Sequence, residues 1–67
     1  MDITTRKIID FIKAYRSEYG LGPSAAEIAA AVGLSRAAAG NRVTIMVAAG
    51  VLKRGPQHRS LDVADAT

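Results

Sequence analysis

The chain has 67 residues, of which 49% are hydrophobic, and its nine Lys and Arg against six Asp and Glu give a formal net charge of +3. This length allows one small domain and excludes a second core. The absence of cysteine excludes disulfides and thiolate metal sites, and no apolar run reaches the roughly 18 residues that span a membrane. We expect a single domain over 1–67 in the cytoplasm, ordered over about 4–63, with 64–67 fraying.

Positive charge is concentrated in the middle of the chain. Residues 1–27 carry four basic and four acidic side chains, which cancel, and no acidic residue lies between Glu27 and Asp62. A concentrated positive charge raises the local density of polyanions. Two interpretations remain open, a polyanion-binding surface and a merely solvated basic face. The residues concerned are Arg36, Arg42, Lys53, Arg54 and Arg59.

A first helix is predicted from about Thr4 to Tyr19, with Thr4 as its N-cap. Ile3 and Ile8 stand at the two positions of a hydrophobic staple, which would fix the angle at which the chain enters the helix. Apolar side chains then recur at helical spacing and form one stripe, which consists of Ile8, Ile12, Tyr15 and Tyr19 with Phe11 beside them. Gly20 and the residues after it end the helix.

The next segment predicts two helices joined by a tight turn. Ser24-Ala25-Ala26-Glu27 is a capping box that begins a helix of about residues 25–32. Gly33 supplies the left-handed residue that ends it, and Ser35 caps a third helix over about 36–49. A helix-turn-helix of this form is shaped to enter the major groove of DNA.

Gly50 ends the third helix, and a short β-hairpin follows it. Val51–Arg54 and Arg59–Val63 are the two predicted strands, and Leu52 and Leu61 would close the core beneath them. The expected inward face of the third helix consists of Ala39, Val43, Met46 and either Ala49 or Gly50. The sequence therefore predicts a mainly α fold with a small β-hairpin.

Four stretches resemble a known family. They are Gly22-Pro23-Ser24-Ala25-Ala26-Glu27-Ile28-Ala29, Gly33-Leu34-Ser35, Ala49-Gly50-Val51-Leu52-Lys53-Arg54 and Arg59-Ser60-Leu61. From Thr4 to Val63 the chain resembles a winged helix-turn-helix, and more narrowly the DNA-binding domain of LexA-type repressors. The spacing from Gly33 to Gly50 is nearer the generic winged-helix pattern, also seen in MarR-like regulators, because that of LexA is one residue longer. The chain does not contain LexA's self-cleaving protease domain, so the resemblance does not imply autocleavage.

The resemblance implies that the third helix lies in the major groove and that its first half meets the bases. Arg36 can bridge guanine O6 and N7, or hold a phosphate, and Asn41 matches adenine N6 and N7. Gly40 leaves a bare surface, which either permits close approach or is simply tolerated at a cost of about 1 kcal/mol. Helical spacing places on this face Arg36, Ala37, Gly40, Asn41 and Thr44.

Other residues are expected to contact the DNA backbone. Ser24 and Ser35 cap helices whose free amides also favour phosphate, and Arg42 lies at the edge of the reading face. The hairpin forms a basic wing whose tip reaches phosphates or the minor groove. His58 is the only histidine, so no histidine-based metal site is expected. The wing residues are Lys53, Arg54, Gln57, His58 and Arg59.

These features favour a sequence-specific regulator that binds double-stranded DNA, with a small phage or bacterial repressor preferred. The sequence contains no catalytic pattern and none that indicates a cofactor or a small-molecule ligand. One alternative is a protein-interaction module with Ile45 and Val47 as its contact face. Another is an architectural or recombination directionality factor. Any homodimer would be weak or DNA-assisted, and the operator, the sign of regulation and the host stay open.

Overall fold

The computed structural model describes residues 2–55 and 59–64 of the chain. Its strands pair antiparallel, with Leu52 opposite Val63 and Lys53 opposite Asp62. Three helices followed by this pair form a winged helix, which confirms the predicted fold class. Residues 56–58 of the predicted wing tip (55–58) and residues 65–67 of the predicted frayed end (64–67) lie outside the described residues. The elements are α1 (Ile3–Tyr19), α2 (Ala25–Val32), α3 (Arg36–Ala48), β1 (Leu52–Lys53) and β2 (Asp62–Val63).

The start of α1 differs from the prediction. Asp2, not Thr4, is the N-cap, and its Oδ1 accepts a hydrogen bond from the Thr5 amide at 2.8 Å. Ile3 is then the first helical residue and is 73% exposed, so the predicted staple between Ile3 and Ile8 is wrong. Aspartate caps better than threonine, and its charge also suits the positive end of the helix dipole.

The predicted signals around α2 are confirmed. The Ser24 hydroxyl accepts from the Glu27 amide at 3.2 Å, and Glu27 Oε1 accepts from the Ser24 amide at 2.8 Å. Gly33 ends α2 in the left-handed conformation at φ 76°, and the Ser35 hydroxyl accepts from the Ala38 amide at 3.1 Å. The turn between α2 and α3 is therefore fixed at both sides by its own sequence.

The core lies between the three helices and the wing. Among residues 2–55 and 59–64, ten hydrophobic side chains are buried, and they include Ala39, Val43 and Met46 of the predicted inner face of α3. Placing Ala49 or Gly50 on that face was wrong, because α3 ends at Ala48 and both residues are exposed. Leu52 and Leu61 enter from the two arms of the wing, and a buried leucine contributes about 1.5–3 kcal/mol. The wing is thus attached to the core. The ten are Ile8, Ile9, Ile12, Ile28, Ala29, Ala39, Val43, Met46, Leu52 and Leu61.

The second arm of the wing is fastened to α1 and to the α1–α2 connection. The Gly22 amide donates to the Arg59 carbonyl at 2.8 Å. Arg16 donates from Nη1 to the Leu61 carbonyl at 3.2 Å, and its Nε lies 3.3 Å from an Asp62 carboxylate oxygen. A Cβ at Gly22 would collide with the backbone of Leu61. Glycine is required at this position because two backbones meet there.

We expect Gly22→Ala to lower the free energy of unfolding by about 1–3 kcal/mol, because the added methyl forces the wing backbone away from the connection. The matched control is Gly40→Ala, where the added Cβ would meet nothing within 4 Å. That change should raise stability by about 1 kcal/mol through helix propensity. Urea denaturation measures both, and a Gly22→Ala protein as stable as wild type would refute the close approach.

Candidate nucleic-acid interface

The outer face of α3 is the side turned away from the core. Its exposed members are Arg36, Ala37, Asn41 and Thr44, and Gly40 between them is partly exposed. The structure therefore brings the five predicted reading-face residues to one open side of the helix. The residues on this side are small or polar, and the cation Arg36 stands at the first position of the helix.

The middle of this face carries little side-chain volume. A Cβ at Gly40 would enter open space, and Ala37 and Ala38 beside it are exposed. The Thr44 hydroxyl donates to the Gly40 carbonyl at 3.0 Å. Its hydrogen atom is thus engaged within the helix, while its oxygen can still accept from a ligand.

Arg42, at the edge of the face, pairs with the start of α1. Its Nη1 lies 3.2 Å from Asp2 Oδ2, and both side chains are partly exposed. The hydrogen bond from the Thr5 amide, helped by Arg42, holds the pKa of Asp2 below its ordinary value. An exposed ion pair of this kind contributes little to stability, because water and salt screen it. Arg42 can therefore exchange its partner for a phosphate at small cost.

The two capping serines stand in different surroundings. Ser35 is exposed at the start of α3, whereas Ser24 is partly buried. A cleft of about 260 Å³ lies beside Ser24, and Arg54 and Arg59 line it from the wing. The start of α2 and the wing therefore face one another across an open cleft that has Arg54 and Arg59 on its wing side.

The described part of the wing separates its basic residues into two groups. Lys53 and Arg54 are exposed. Arg59 is partly buried, and its guanidinium contacts Glu27. The predicted contact residues Gln57 and His58 lie outside the described residues.

Arg59 belongs to a three-residue cluster with Tyr15 and Glu27, which we name the wing clamp. Arg59 Nη1 donates to Glu27 Oε1 at 2.8 Å and to the Tyr15 hydroxyl at 2.9 Å. The Tyr15 hydroxyl donates to Glu27 Oε2 at 2.8 Å. The three side chains come from α1, α2 and the wing, so each is held by two others from different segments.

Hydrogen bonds to its carboxylate, from the capping box and from the clamp, keep Glu27 ionised. The Ser24 amide, then the Tyr15 hydroxyl and more weakly Arg59, lower the pKa of Glu27 to about 2. The carboxylate in turn raises the pKa of Tyr15 and of Arg59 above their ordinary values. At neutral pH the clamp therefore contains an ionised carboxylate, a guanidinium and a neutral phenol.

Sequence reasoning missed the wing clamp because its members are far apart in the chain. Glu27 was explained by its capping box and Tyr15 by the apolar stripe of its helix. A capping box uses one carboxylate oxygen, here Oε1, and leaves the second oxygen free to accept from elsewhere. That free oxygen was the available signal, but it does not identify its partner.

The alternative contact face on α3 is smaller than predicted. Ile45 is 54% exposed, but Val47 is partly buried and packs against the core. The expected pair is therefore reduced to Ile45, and a single exposed apolar side chain is ordinary on a protein surface.

Comparison with known proteins identifies the family. A family model described as LexA DNA binding domain matches residues 3–60, which is most of the chain. The search of curated proteins gave no match. Within 2–55 and 59–64, no helix is long and apolar enough to cross a membrane, and those residues contain no group of potential metal ligands.

We expect the stability that Glu27 provides to depend on pH. Its folded pKa of about 2 lies below the ordinary 4.5, so this stability is present above about pH 4.5 and is lost as the pH falls towards 2. The urea midpoint of wild type should exceed that of Glu27→Gln at pH 7, and the gap should narrow between pH 4.5 and 2.

Glu18→Gln, on the exposed side of α1, is the control for removing one carboxylate. A gap between wild type and Glu27→Gln that stays constant down to pH 2 would show that ionisation of Glu27 is not its cause.

Proposed function

The chain belongs to the LexA DNA-binding domain family, a non-catalytic DNA-binding family whose role is transcription regulation, and we propose that it is a sequence-specific regulator. The protein would be a small, nucleoid-associated repressor that occupies an operator in double-stranded DNA. The single observation that carries the proposal is the two-sided α3. Its inner face is buried in the core, and its outer face is exposed and carries short or polar side chains.

The dimensions of α3 support placing it in the major groove. An α-helix with its side chains is about 10–12 Å across, and the groove is about 12 Å wide. Short side chains at Ala37 and Gly40 let the helix axis approach the bases. Arg36 and Asn41 would then read guanine and adenine, each bidentate pair giving about 1–3 kcal/mol of discrimination.

The backbone contacts follow from charge. Lys53 and Arg54 on the wing and Arg42 beside α3 would neutralise phosphates, together with the free amides at the starts of α2 and α3. Gln57 and His58 remain proposed contacts at the wing tip. Arg59 is set apart from this group because its guanidinium is paired with Glu27.

Two copies on one operator are part of the proposal. A helix-turn-helix monomer covers one half-site, and dimers read two half-sites about 34–36 Å apart. Pairing of this chain would be weak or DNA-assisted. Selection of duplexes from a random pool gives the motif and shows whether it is symmetric, and a motif with no symmetry would favour an architectural or directionality role.

We expect duplex binding whose affinity falls with salt. Each neutralised phosphate contributes about −0.9 to the slope of log affinity against log salt concentration. Fluorescence anisotropy on the selected duplex and on a random-sequence duplex measures this slope. A flat response would refute DNA binding and leave the protein-interaction module as the better explanation.

Two variants, assayed by the same anisotropy measurement, test whether α3 reads bases and whether the wing contacts phosphates. Arg36→Ala should narrow the affinity difference between the selected and random duplexes, because it removes a base contact. Lys53→Ala should weaken both duplexes alike and reduce the slope by about 0.9. The reverse pattern would mean that these two roles are exchanged.

The close approach of α3 predicts the effect of bulk at its centre. Gly40→Gln should weaken binding to the selected duplex at least tenfold, because the longer side chain holds the helix away from the bases. Gly40→Ala is the matched control with little added volume. Circular dichroism establishes that both variants fold, and a folded Gly40→Gln protein with wild-type affinity would contradict the close approach.

A further inference from the structure

The wing clamp joins the wing to α1 and α2, and α2 packs directly against α3, so the clamp links the wing through α2 to the helix that it would flank on DNA. Tyr15 comes from α1, Glu27 from α2 and Arg59 from the wing, with hydrogen bonds of 2.8 to 2.9 Å between them. The Tyr15 ring is itself held between Phe11 and Tyr19, with ring centroids 5.8 and 4.5 Å away. The clamp's phenol ring is therefore packed against the rings of its own helix.

The backbone of Arg59 is constrained as well as its side chain. Its φ of 56° lies in the left-handed region, and it is the only non-glycine residue with a positive φ among those described. Its carbonyl accepts from the Gly22 amide at 2.8 Å. A residue stays in such a conformation only where its surroundings impose it. The clamp and the Gly22 contact are those surroundings.

A fixed Arg59 also positions the opposite arm of the hairpin. The paired strands are only two residues each, and a hairpin this short is marginal without support. Ser60, next to Arg59, donates from its hydroxyl to the Gly55 carbonyl at 2.9 Å. Gly55 directly follows Lys53 and Arg54, so restraint at Arg59 is transmitted to the exposed cations.

We propose that Arg59 acts in DNA binding as a positioning residue, held by Glu27 and Tyr15, which orients the wing so that Lys53 and Arg54 meet phosphates. This inference rests on the proposed function. It assigns Arg59 a different role from the direct contact expected from its charge. It also makes Glu27, an acidic residue, a contributor to the affinity for a polyanion.

The direction in which Glu27→Gln changes the affinity for DNA distinguishes the two roles of Arg59. If Arg59 left Glu27 to bind a phosphate, Glu27→Gln would free the guanidinium, remove a repelling charge and tighten binding. If Arg59 positions the wing, Glu27→Gln loosens the wing and weakens binding. Glutamine can keep the capping-box hydrogen bond, because it is one of the two residues that this motif uses. The helix start is therefore retained in this variant.

The experiment compares wild type, Glu27→Gln, Arg59→Gln and the double variant by anisotropy on the selected duplex across salt. Each single change should weaken binding several-fold, and the double variant should be no weaker than the weaker single, because both changes break one interaction. Lys53→Ala, costly in wild type, should add little in the Arg59→Gln background. A merely structural role of Arg59 would leave that Lys53 effect intact.

Tyr15→Phe is a second test of the wing clamp, and it changes no charge. It removes the hydroxyl which bridges Glu27 and Arg59 and should weaken binding in the same direction. Circular dichroism and urea midpoints establish that each variant is folded at the assay temperature. Tighter binding by Glu27→Gln, or a slope reduced by about 0.9 in Arg59→Gln with the Lys53 effect unchanged, would overturn the positioning role alone. Absence of duplex binding by wild type would overturn the proposed function as well.

Discussion

The burial of one side of α3 is the constraint on which the rest of the structure depends. Ala39, Val43 and Met46 pack into the core, and because a helix turns once in 3.6 residues, the residues between them must face outward. Apart from Ile45, which is 54% exposed, the outward residues are short or polar, so this helix has no second apolar stripe to bury. The same packing that stabilises the domain thus leaves a free face of suitable size for a DNA groove.

The ion pairs divide the basic residues into two classes that the charge pattern alone does not distinguish. Arg16 and Arg59 are committed to Asp62 and Glu27, with side chains about two-thirds buried. The second class consists of exposed cations that form no ion pair within 2–55 and 59–64, namely Arg36, Lys53 and Arg54. The acid-free stretch of the sequence is therefore not equivalent to a uniformly free basic surface, because folding brings Glu27 back to its end.

The elements that the sequence predicted well are those whose signals are local. The bounds of α2 follow from a capping box at Ser24 and a left-handed Gly33, and both lie within a few residues of the helix they define. The start of α1 was missed by two residues because Asp2 and Thr4 both offer a capping oxygen, and the choice depends on their relative strength. The wing clamp was missed entirely, since 32 residues separate its two ionised members.

The position of the wing is the feature in which fold and site are hardest to separate. Leu52 and Leu61 bury its base, Gly22 admits its backbone, and Arg59 ties its second arm to Glu27. Burial is non-directional and would tolerate a rotation of the hairpin, whereas a carboxylate–guanidinium pair with fixed partners tolerates much less. The hydrophobic contacts thus attach the wing, and the polar contacts set its direction. In the proposed role, Glu27 assists the binding of a polyanion because its carboxylate orients the cations of the wing and is not exposed to the DNA.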